Sequence, residues 1–594
     1  KKKIPELTEE NIENVFNDNF KNLSENELID NNDYNKFLLN KEILQNKLLG
    51  ENNEKNTILY PSLDDPYFNI KIAEKKEFND NKYDGKIYDI NKQAELLCNA
   101  DFELAPHQLF IKNFLSFQTP YNSLLLYHGL GTGKTCSAIS VSEEMRTYLK
   151  QLGISQRIII VASPNVQHNF KIQLFDESKL QQVDGLWNIR SCIGNKYLKE
   201  INPMNMKGLN KEKVVRQINR LINTSYLFLG YTEFANYIEK KSNVDNEDLN
   251  QEEKKRMMIK KLKNNFNNRL IIIDEIHNIR INNEVNSDNK KGGKKVAQEF
   301  LKLVKYVDNL RLLFLSATPM FNSYKEIVWL INIMNMNDRR ATVDIKDIFD
   351  NDGNFIIDND GNNIGEELFK RKITGYISFV RGENPYTFPY RIFPSIFSPD
   401  NTFKEHSYPR IQLNDKQIIQ PLEHIDVYLN KCGEYQQKVY EYMVDELRIT
   451  SGKTDEGLPS FDNMESFGYT LLQRLIMALN IIYPDKKMDF NNDKNDTKLL
   501  VGSKGLQRIM KYKELKNPPS KKNFEYRDNE YKNLFSMSEI GKYSSKIKSI
   551  CNNVLNSEGI ILIYSEYIDS GLIPLALALE ELGITRYGTS VSNL

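Results

Sequence analysis

Leu124-Leu125-Leu126-Tyr127-His128-Gly129-Leu130-Gly131-Thr132-Gly133-Lys134-Thr135 passes from an apolar run into a glycine loop, and then into a helical stretch with Ile139, Val141, Met145 and Leu149 on one side. Strand, glycine loop and helix in that order form the context that a phosphate cradle needs. Glycines let successive backbone N–H groups curl around phosphate oxygens, and the helix start adds the positive end of its dipole. In this reading Gly129, Leu130, Gly131, Thr132 and Gly133 form the cradle. Lys134 reaches the β- and γ-phosphates, and Thr135 ligates Mg²⁺ through its hydroxyl. A strict P-loop has glycine where this chain has His128.

Downstream, Leu270-Ile271-Ile272-Ile273-Asp274-Glu275-Ile276-His277 is an apolar strand ending in two acids. At the carboxyl end of a buried strand Asp274 can hold Mg²⁺, while Glu275 can orient and deprotonate an attacking water. This is a Walker B element of DEAH-box form. His277 either links hydrolysis to the other motifs or is a structural histidine. A third run, Leu312 to Leu315, leads into Ser316-Ala317-Thr318-Pro319. The hydroxyls of Ser316 and Thr318 can hydrogen-bond the Walker B acids and relay nucleotide state.

These runs, with Ile158 to Val161 and Tyr226 to Leu229, alternate with helical stretches. Continuous apolar runs of about four, separated by helices, are what a parallel sheet covered on both faces requires. The fold class is therefore α/β. Residues 1–100 are polar and read as an N-terminal extension, 101–345 as the nucleotide-binding lobe and 346–535 as an intervening mixed domain. Residues 536–594 read as the beginning of a second lobe, with a buried strand over Gly559 to Tyr564 and a helix over Leu572 to Leu582.

The composition narrows the remaining classes. Of 594 residues, 80 are Lys or Arg and 80 are Asp or Glu, so any nucleic-acid contact must come from a local surface rather than from net charge. No apolar stretch approaches the roughly 18 residues of a membrane span, so no membrane partner is expected. The five cysteines are scattered without a C-x-x-C, which points to a reducing compartment. Glu239 to Asn265 is dense in charge and reads as a solvated helix or a nucleic-acid contact. Asp350-Asn351-Asp352-Gly353 and Asp358-Asn359-Asp360-Gly361 resemble calcium-loop fragments, but the register puts Ile348 or Ile356 where the first carboxylate belongs. Turns flanking a strand over Phe355 to Ile357 fit better.

Together the glycine loop, D-E-x-H and S-A-T resemble superfamily 2 helicases and translocases, in particular the Swi/Snf-like branch, which often relax the first P-loop position. The resemblance implies a RecA-like P-loop lobe with ATP and Mg²⁺ as cofactors, and an ATP hydrolase activity that depends on nucleic acid. It makes Gln108 the adenine-reading glutamine. Pro164 and Asn165, within Val161-Ala162-Ser163-Pro164-Asn165, and Thr232, within Gly230-Tyr231-Thr232, match strand-tracking motifs; each is equally readable as an ordinary strand-to-loop turn. Gly375 to Gly382, Phe388-Pro389-Tyr390-Arg391, Lys542 to Lys546 and Ile563 to Tyr567 look like the helicases of nucleocytoplasmic large DNA viruses, a group that includes the small subunit of the poxvirus early transcription factor and poxvirus nucleoside triphosphate phosphohydrolase I.

That narrower resemblance implies double-stranded DNA or another nucleic acid as partner, service in viral early transcription beside a viral RNA polymerase or a large transcription-factor subunit, and a place in the virion and infected-cell cytoplasm. A non-viral relative would still be intracellular. Two alternatives stay open: a replication, repair or restriction-type DNA translocase, and a virion scaffold or binding protein retaining the ATPase fold. The family's second lobe ends in a Gln-x-x-Arg-x-x-Arg motif that this sequence lacks. The expectation is that the native polypeptide continues past Leu594 and supplies those arginines, and that the chain as written binds ATP better than it hydrolyses it.

Overall fold

The computed structural model describes residues 7–51, 59–86, 88–99, 103–189, 191–245, 248–279, 290–320, 323–381, 392–403, 408–419, 422–423, 425–451, 469–485, 488, 490, 496–514 and 522–585. They divide into two compact units, Lys1–Tyr390 and Arg391–Leu594. The first holds β1 (Ser123–His128), β2 (Ile158–Val161), a hairpin of β3 (Leu180–Val183) and β4 (Leu186–Ile189), β5 (Tyr226–Leu229), β6 (Leu270–Asp274), β7 (Arg311–Ser316) and β8 (Ile377–Val380). Six of these make one parallel sheet in the order β5-β2-β6-β7-β1-β8.

The apolar runs fold this way because alternate residues face opposite layers and both layers are covered. Leu125, Ile159, Ile271, Ile273, Leu312 and Phe314 pack with Phe234, Leu262, Phe300 and Ile331, from the helices over Tyr231–Ser242, Gln251–Phe266, Lys290–Tyr306 and Glu326–Asn337. Leu124, Leu126, Ile160, Ile272, Leu313 and Leu315 face Ile111, Ile139, Phe170 and Ile218, from Pro106–Phe114, Lys134–Gln151, Pro164–Leu174 and Lys211–Ser225. Each such side chain fully buried is worth about 1.5–3 kcal/mol. The α/β class with a parallel sheet sandwiched between helices is the one that the runs demanded.

Several expectations are corrected. The first lobe does not end at residue 345: β8 pairs in parallel with β1, Leu125 opposite Ile377 and His128 opposite Val380, and so completes the sheet. Nor do residues 1–100 form a separate extension. Phe68, Ile72 and Phe78 are buried against the sheet's own core, and Lys372, wholly buried, is paired with Glu42 of the helix Asn32–Glu51. A lone buried ammonium or carboxylate is costly, so each holds the other in place. The charged helix Gln251–Phe266 buries Ile259, Leu262 and Phe266, while Lys255 pairs with Asp30 and Lys263 with Asp308 and Glu25, which fits the solvated-helix reading.

At Asp350 and Asp358 the carboxylates accept backbone N–H groups of their own turns, 2.8–2.9 Å from Asp352 and Asn354 and from Asp360 and Asn362. Among the described residues no cluster of three or more His, Cys, Asp or Glu side chains could hold a metal ion. Phe355 makes a single bridge to Phe349 rather than a strand. Although the scattered cysteines pointed to a reducing compartment, Cys136 and Cys192 are joined as a disulfide with Cα atoms 5.4 Å apart. No helix among the described residues is long and apolar enough to cross a membrane.

In the second unit, helices over Glu434–Ser451 and Tyr469–Asn480 bury Val439, Met443, Leu475 and Ala478 together. A second core joins Ile509, Phe535, Ile540, Cys551 and Leu577 beneath the antiparallel hairpin of β9 (Met510–Glu514) and β10 (Lys522–Tyr526). The strand expected over Gly559 to Tyr564 is not formed: Ile560, Leu562 and Tyr564 are exposed, and β9 and β10 pair only with each other, so the segment has no described strand to bond to. The helix expected next is present as Ile573–Glu581.

Candidate nucleotide site

All six strands of the main sheet run parallel, so their carboxyl ends share one edge, the edge at which open α/β sheets place ligands. The glycine loop leaves β1 there and the two acids end β6. Between them in the sheet lies β7, ending in Ser316. Pro164 and Asn165 follow β2 and Thr232 follows β5 on the same edge, all three exposed. Every candidate residue of the lobe therefore gathers at one edge, with the three tracking candidates on its β2 and β5 side.

The loop has the conformation a cradle requires. Gly131 and Gly133 hold φ 76° and 75°, in the left-handed region that glycine enters without strain. A Cβ at Gly133 would stand 2.4 Å from Gln108 Nε2, so a larger residue would have to displace that amide as well as adopt the left-handed backbone. Lys134 opens the helix Lys134–Gln151 and folds its ammonium back onto the loop, donating to the carbonyls of His128 at 2.8 Å and Gly129 at 3.0 Å. Burial lowers its pKa, opposed by the negative charges of Glu275 and Asp274 across the site. A cation clasped by neutral carbonyls is poised to exchange them for phosphate oxygens. Thr135, half-buried, is the next residue of the helix.

Across the site, burial and then the neighbouring Glu275 push Asp274 up to about 6, with Lys134 acting against them. A carboxylate strained toward neutrality in this way is relieved by a cation, which is what a Mg²⁺ ligand needs. Glu275 holds φ 45° and ψ 57°, a left-handed conformation for a residue with a side chain. Its Oε2 lies 3.3 Å from His277 Nδ1 and 3.5 Å from Ser316 Oγ. His277 Nδ1 is also 3.1 Å from Ser316 Oγ, and the Thr318 N–H donates to that oxygen at 3.0 Å. The hydroxyl at the end of β7 thus sits between the acid, the histidine and the S-A-T turn.

Gln108 reaches the loop in a specific way: its Oε1 accepts the Ala105 N–H at 2.9 Å and its Nε2 donates to the Gly133 carbonyl at 3.2 Å. Sequence reasoning missed its neighbours. His107 Nε2–H donates to the Thr132 carbonyl at 2.8 Å, and its Nδ1 accepts the Tyr83 hydroxyl at 2.6 Å, a tautomer fixed by those partners. His128 is fully buried, with Nε2 2.9 Å from Ser378 Oγ on β8 and burial holding its pKa down to about 3. Tyr231 donates to the Asp274 carbonyl at 2.8 Å. The departure from glycine at position 128 was a visible signal for this outer ring; Tyr231 and Ser378 lie in stretches that drew attention for other reasons, Gly230-Tyr231-Thr232 and Gly375 to Gly382, and Tyr83 has no signal in its local pattern.

The chain is similar over part of its length to several known proteins. Residues 101–321 match the sequence model of the type III restriction enzyme res subunit. The Acanthamoeba polyphaga mimivirus protein named "Putative ATP-dependent RNA helicase R563" is 26% identical over 56% of this chain and 49% of its own length. "Putative helicase 087L" of Invertebrate iridescent virus 3 is 26% identical over 54% of this chain and 27% of its own. The African swine fever virus (isolate Pig/Kenya/KEN-50/1950) "Early transcription factor large subunit homolog" is 24% identical over 48% of this chain and 28% of its own. These matches span a quarter to a half of the curated relatives' lengths. One solved structure, a Sulfolobus solfataricus SWI2/SNF2 ATPase core in complex with dsDNA, aligns over 67% of this chain and 61% of its own at 14% identity with a TM-score of 0.28, too low to add to the fold already described.

Proposed function

We propose that this chain is a superfamily 2 helicase-type ATPase akin to those of large DNA viruses, and that it hydrolyses ATP to move along nucleic acid in the service of viral transcription. One observation carries the reading: the glycine loop and the D-E pair stand at the carboxyl ends of β1 and β6, flanking the strand whose Ser316 lies within reach of Glu275.

In this reading the loop N–H groups and Lys134 bind the phosphates, and Gln108 braces the loop from behind Gly133. Thr135 and Asp274 would hold Mg²⁺, which when bound neutralises phosphate charge. Glu275 orients the attacking water and takes its proton. Ser316, held by the Thr318 N–H, and His277 keep the Glu275 carboxylate aimed, so a change at the γ-phosphate can be passed into β7. Pro164, Asn165 and Thr232, exposed on the same edge, would contact the polynucleotide backbone. Contacts to phosphates make binding steeply salt-dependent and tolerant of sequence.

The names of the relatives bear on the finer assignments. Two features, the African swine fever virus homologue's name and the viral-helicase motifs, favour transcription. Double-stranded DNA is the track this reading takes, and the name of the mimivirus relative, a putative RNA helicase, makes RNA the rival track. The match to a restriction-enzyme subunit favours a second reading, a restriction-type DNA translocase. The ATPase rate with no nucleic acid, single-stranded DNA, double-stranded DNA and RNA tests both. Stimulation by double-stranded DNA of any sequence is expected. A rate indifferent to all three polymers would overturn the motor reading.

A further inference from the structure

Cys136 occupies the third position of the glycine-loop helix Lys134–Gln151, immediately after Thr135, and its sulfur meets that of Cys192. We propose that Cys136 and Cys192 are a peroxide-responsive thiol pair whose closure into an intrachain disulfide staples the nucleotide-binding helix to the segment around residues 191–196.

The pair is held at bonding distance by contacts that do not depend on the bond. On the helix side, Glu143 accepts from Arg146 at 2.9 Å, and from Tyr197 and Tyr226 at 2.7 and 2.5 Å. From the other side, Lys196 donates to the Glu143 carbonyl at 2.8 Å and to Thr147 Oγ1 at 3.0 Å. Arg146 and Lys150 both reach Glu200 at 2.8 Å. This ionic seam fixes the middle and carboxyl-terminal half of the helix Lys134–Gln151 against the helix Lys196–Ile201, which begins four residues after Cys192, so the two segments that carry the thiols are docked together without the bond. With Cα atoms 5.4 Å apart, within the usual 4.4–6.8 Å window, the two thiols face each other at high effective concentration even when reduced. Gln173 Oε1 lies 3.2 Å from Cys192 Sγ and 3.9 Å from Cys136 Sγ, a neutral acceptor for either S–H.

Chemistry distinguishes the two sulfurs. Cys136 is half-buried at a helix N-terminus, where the dipole favours negative charge, and Cys192 is buried. Cys136 is therefore the sulfur that meets a peroxide. Its thiolate displaces hydroxide from hydrogen peroxide to give a sulfenic acid. The Cys192 thiolate then attacks that sulfur and expels a second hydroxide. The two protons given up by the thiols neutralise both hydroxides, so two thiols and one peroxide yield one disulfide and two waters. Dithiothreitol reverses the step by thiol exchange.

The test uses the whole chain, reduced and then exposed to hydrogen peroxide, alkylated with N-ethylmaleimide and digested with trypsin. The expected product joins the peptide of residues 135–146 to that of residues 191–196 and disappears on reduction, while Cys98, Cys432 and Cys551 carry the alkyl label. Oxidation should also raise the melting temperature of the wild-type chain and leave that of Cys192→Ser unchanged. Alkylation of both Cys136 and Cys192 after peroxide, or their pairing with other cysteines, would overturn the proposal. An equal thermal shift in Cys192→Ser would do the same.

Discussion

Glu275, to which the proposed function gives the activation of water, has a left-handed backbone, and strain of about 1–3 kcal/mol at such a residue persists only where the surroundings enforce it. Replacement by Gln keeps the shape and the conformation but cannot accept a proton. Turnover in Glu275→Gln is expected to fall by about 10²–10⁴-fold, with ATP binding and melting temperature near those of wild type. Loss of binding in step with turnover, measured by nucleotide titration, would contradict a role confined to the water.

His128 offers a second test at this scale. Burial, then the nearby His107 and Lys134, hold its folded pKa at about 3, below the ordinary 6.5. The unfolded chain therefore binds the extra proton first as the solution is acidified. The stability tied to the neutral ring is complete above about pH 6.5 and is lost as pH falls toward about 3. Denaturant midpoints across this range should decline less steeply in His128→Gln than in the wild type; parallel curves would sink the assignment. The glycine loop, the D-E-x-H and the S-A-T turn were legible because each is contiguous and its chemistry lies in residue type. The ring around them was not. His107 meets Thr132 and Tyr83, and His128 meets Ser378 250 residues away, through the fold alone.

Elements show the same division. Strands β1, β2, β6 and β7 announce themselves as unbroken apolar runs because both faces are buried. The edge strand β8 has only part-buried or exposed residues and a serine in its midst, so it lacks that signature, and its partner β1 is far away in sequence. The polar N-terminal hundred residues misled for a related reason: a few anchors, Phe68, Ile72, Phe78 and the Glu42–Lys372 pair, attach them to the lobe, and sparse anchors do not alter average polarity. Glu42→Leu strands a wholly buried ammonium and is expected to cost about 3–5 kcal/mol in urea unfolding. The double variant Glu42→Leu/Lys372→Met should recover much of that loss. Additive losses would show that the pair is not what ties the helix Asn32–Glu51 to the sheet.

For the molecule as a whole, parallel strand direction converts separate motifs into one site, because it brings every strand's carboxyl end to the same edge. Order along the chain did not disclose that β7 lies between β6 and β1, yet that order is what puts Ser316 between the acids and the loop. The second unit was harder to read. Its apolar segment Ile560 to Tyr564 has the composition of a buried strand, but a strand exists only where a neighbour accepts its hydrogen bonds, and composition cannot supply the neighbour.

The central claim is that the β1 loop and the β6 acids form one nucleotide site. It is tested most directly by equilibrium binding of Mg²⁺·ATP to the whole chain, comparing wild type with Lys134→Ala. The variant removes the cation that now rests on the His128 and Gly129 carbonyls while leaving the glycine backbone intact. The account predicts saturable binding by the wild type and affinity weakened at least about tenfold, close to 1.4 kcal/mol, in a variant with an unchanged folded spectrum. Equal affinity in the two proteins, or no binding by the folded wild type, would contradict it.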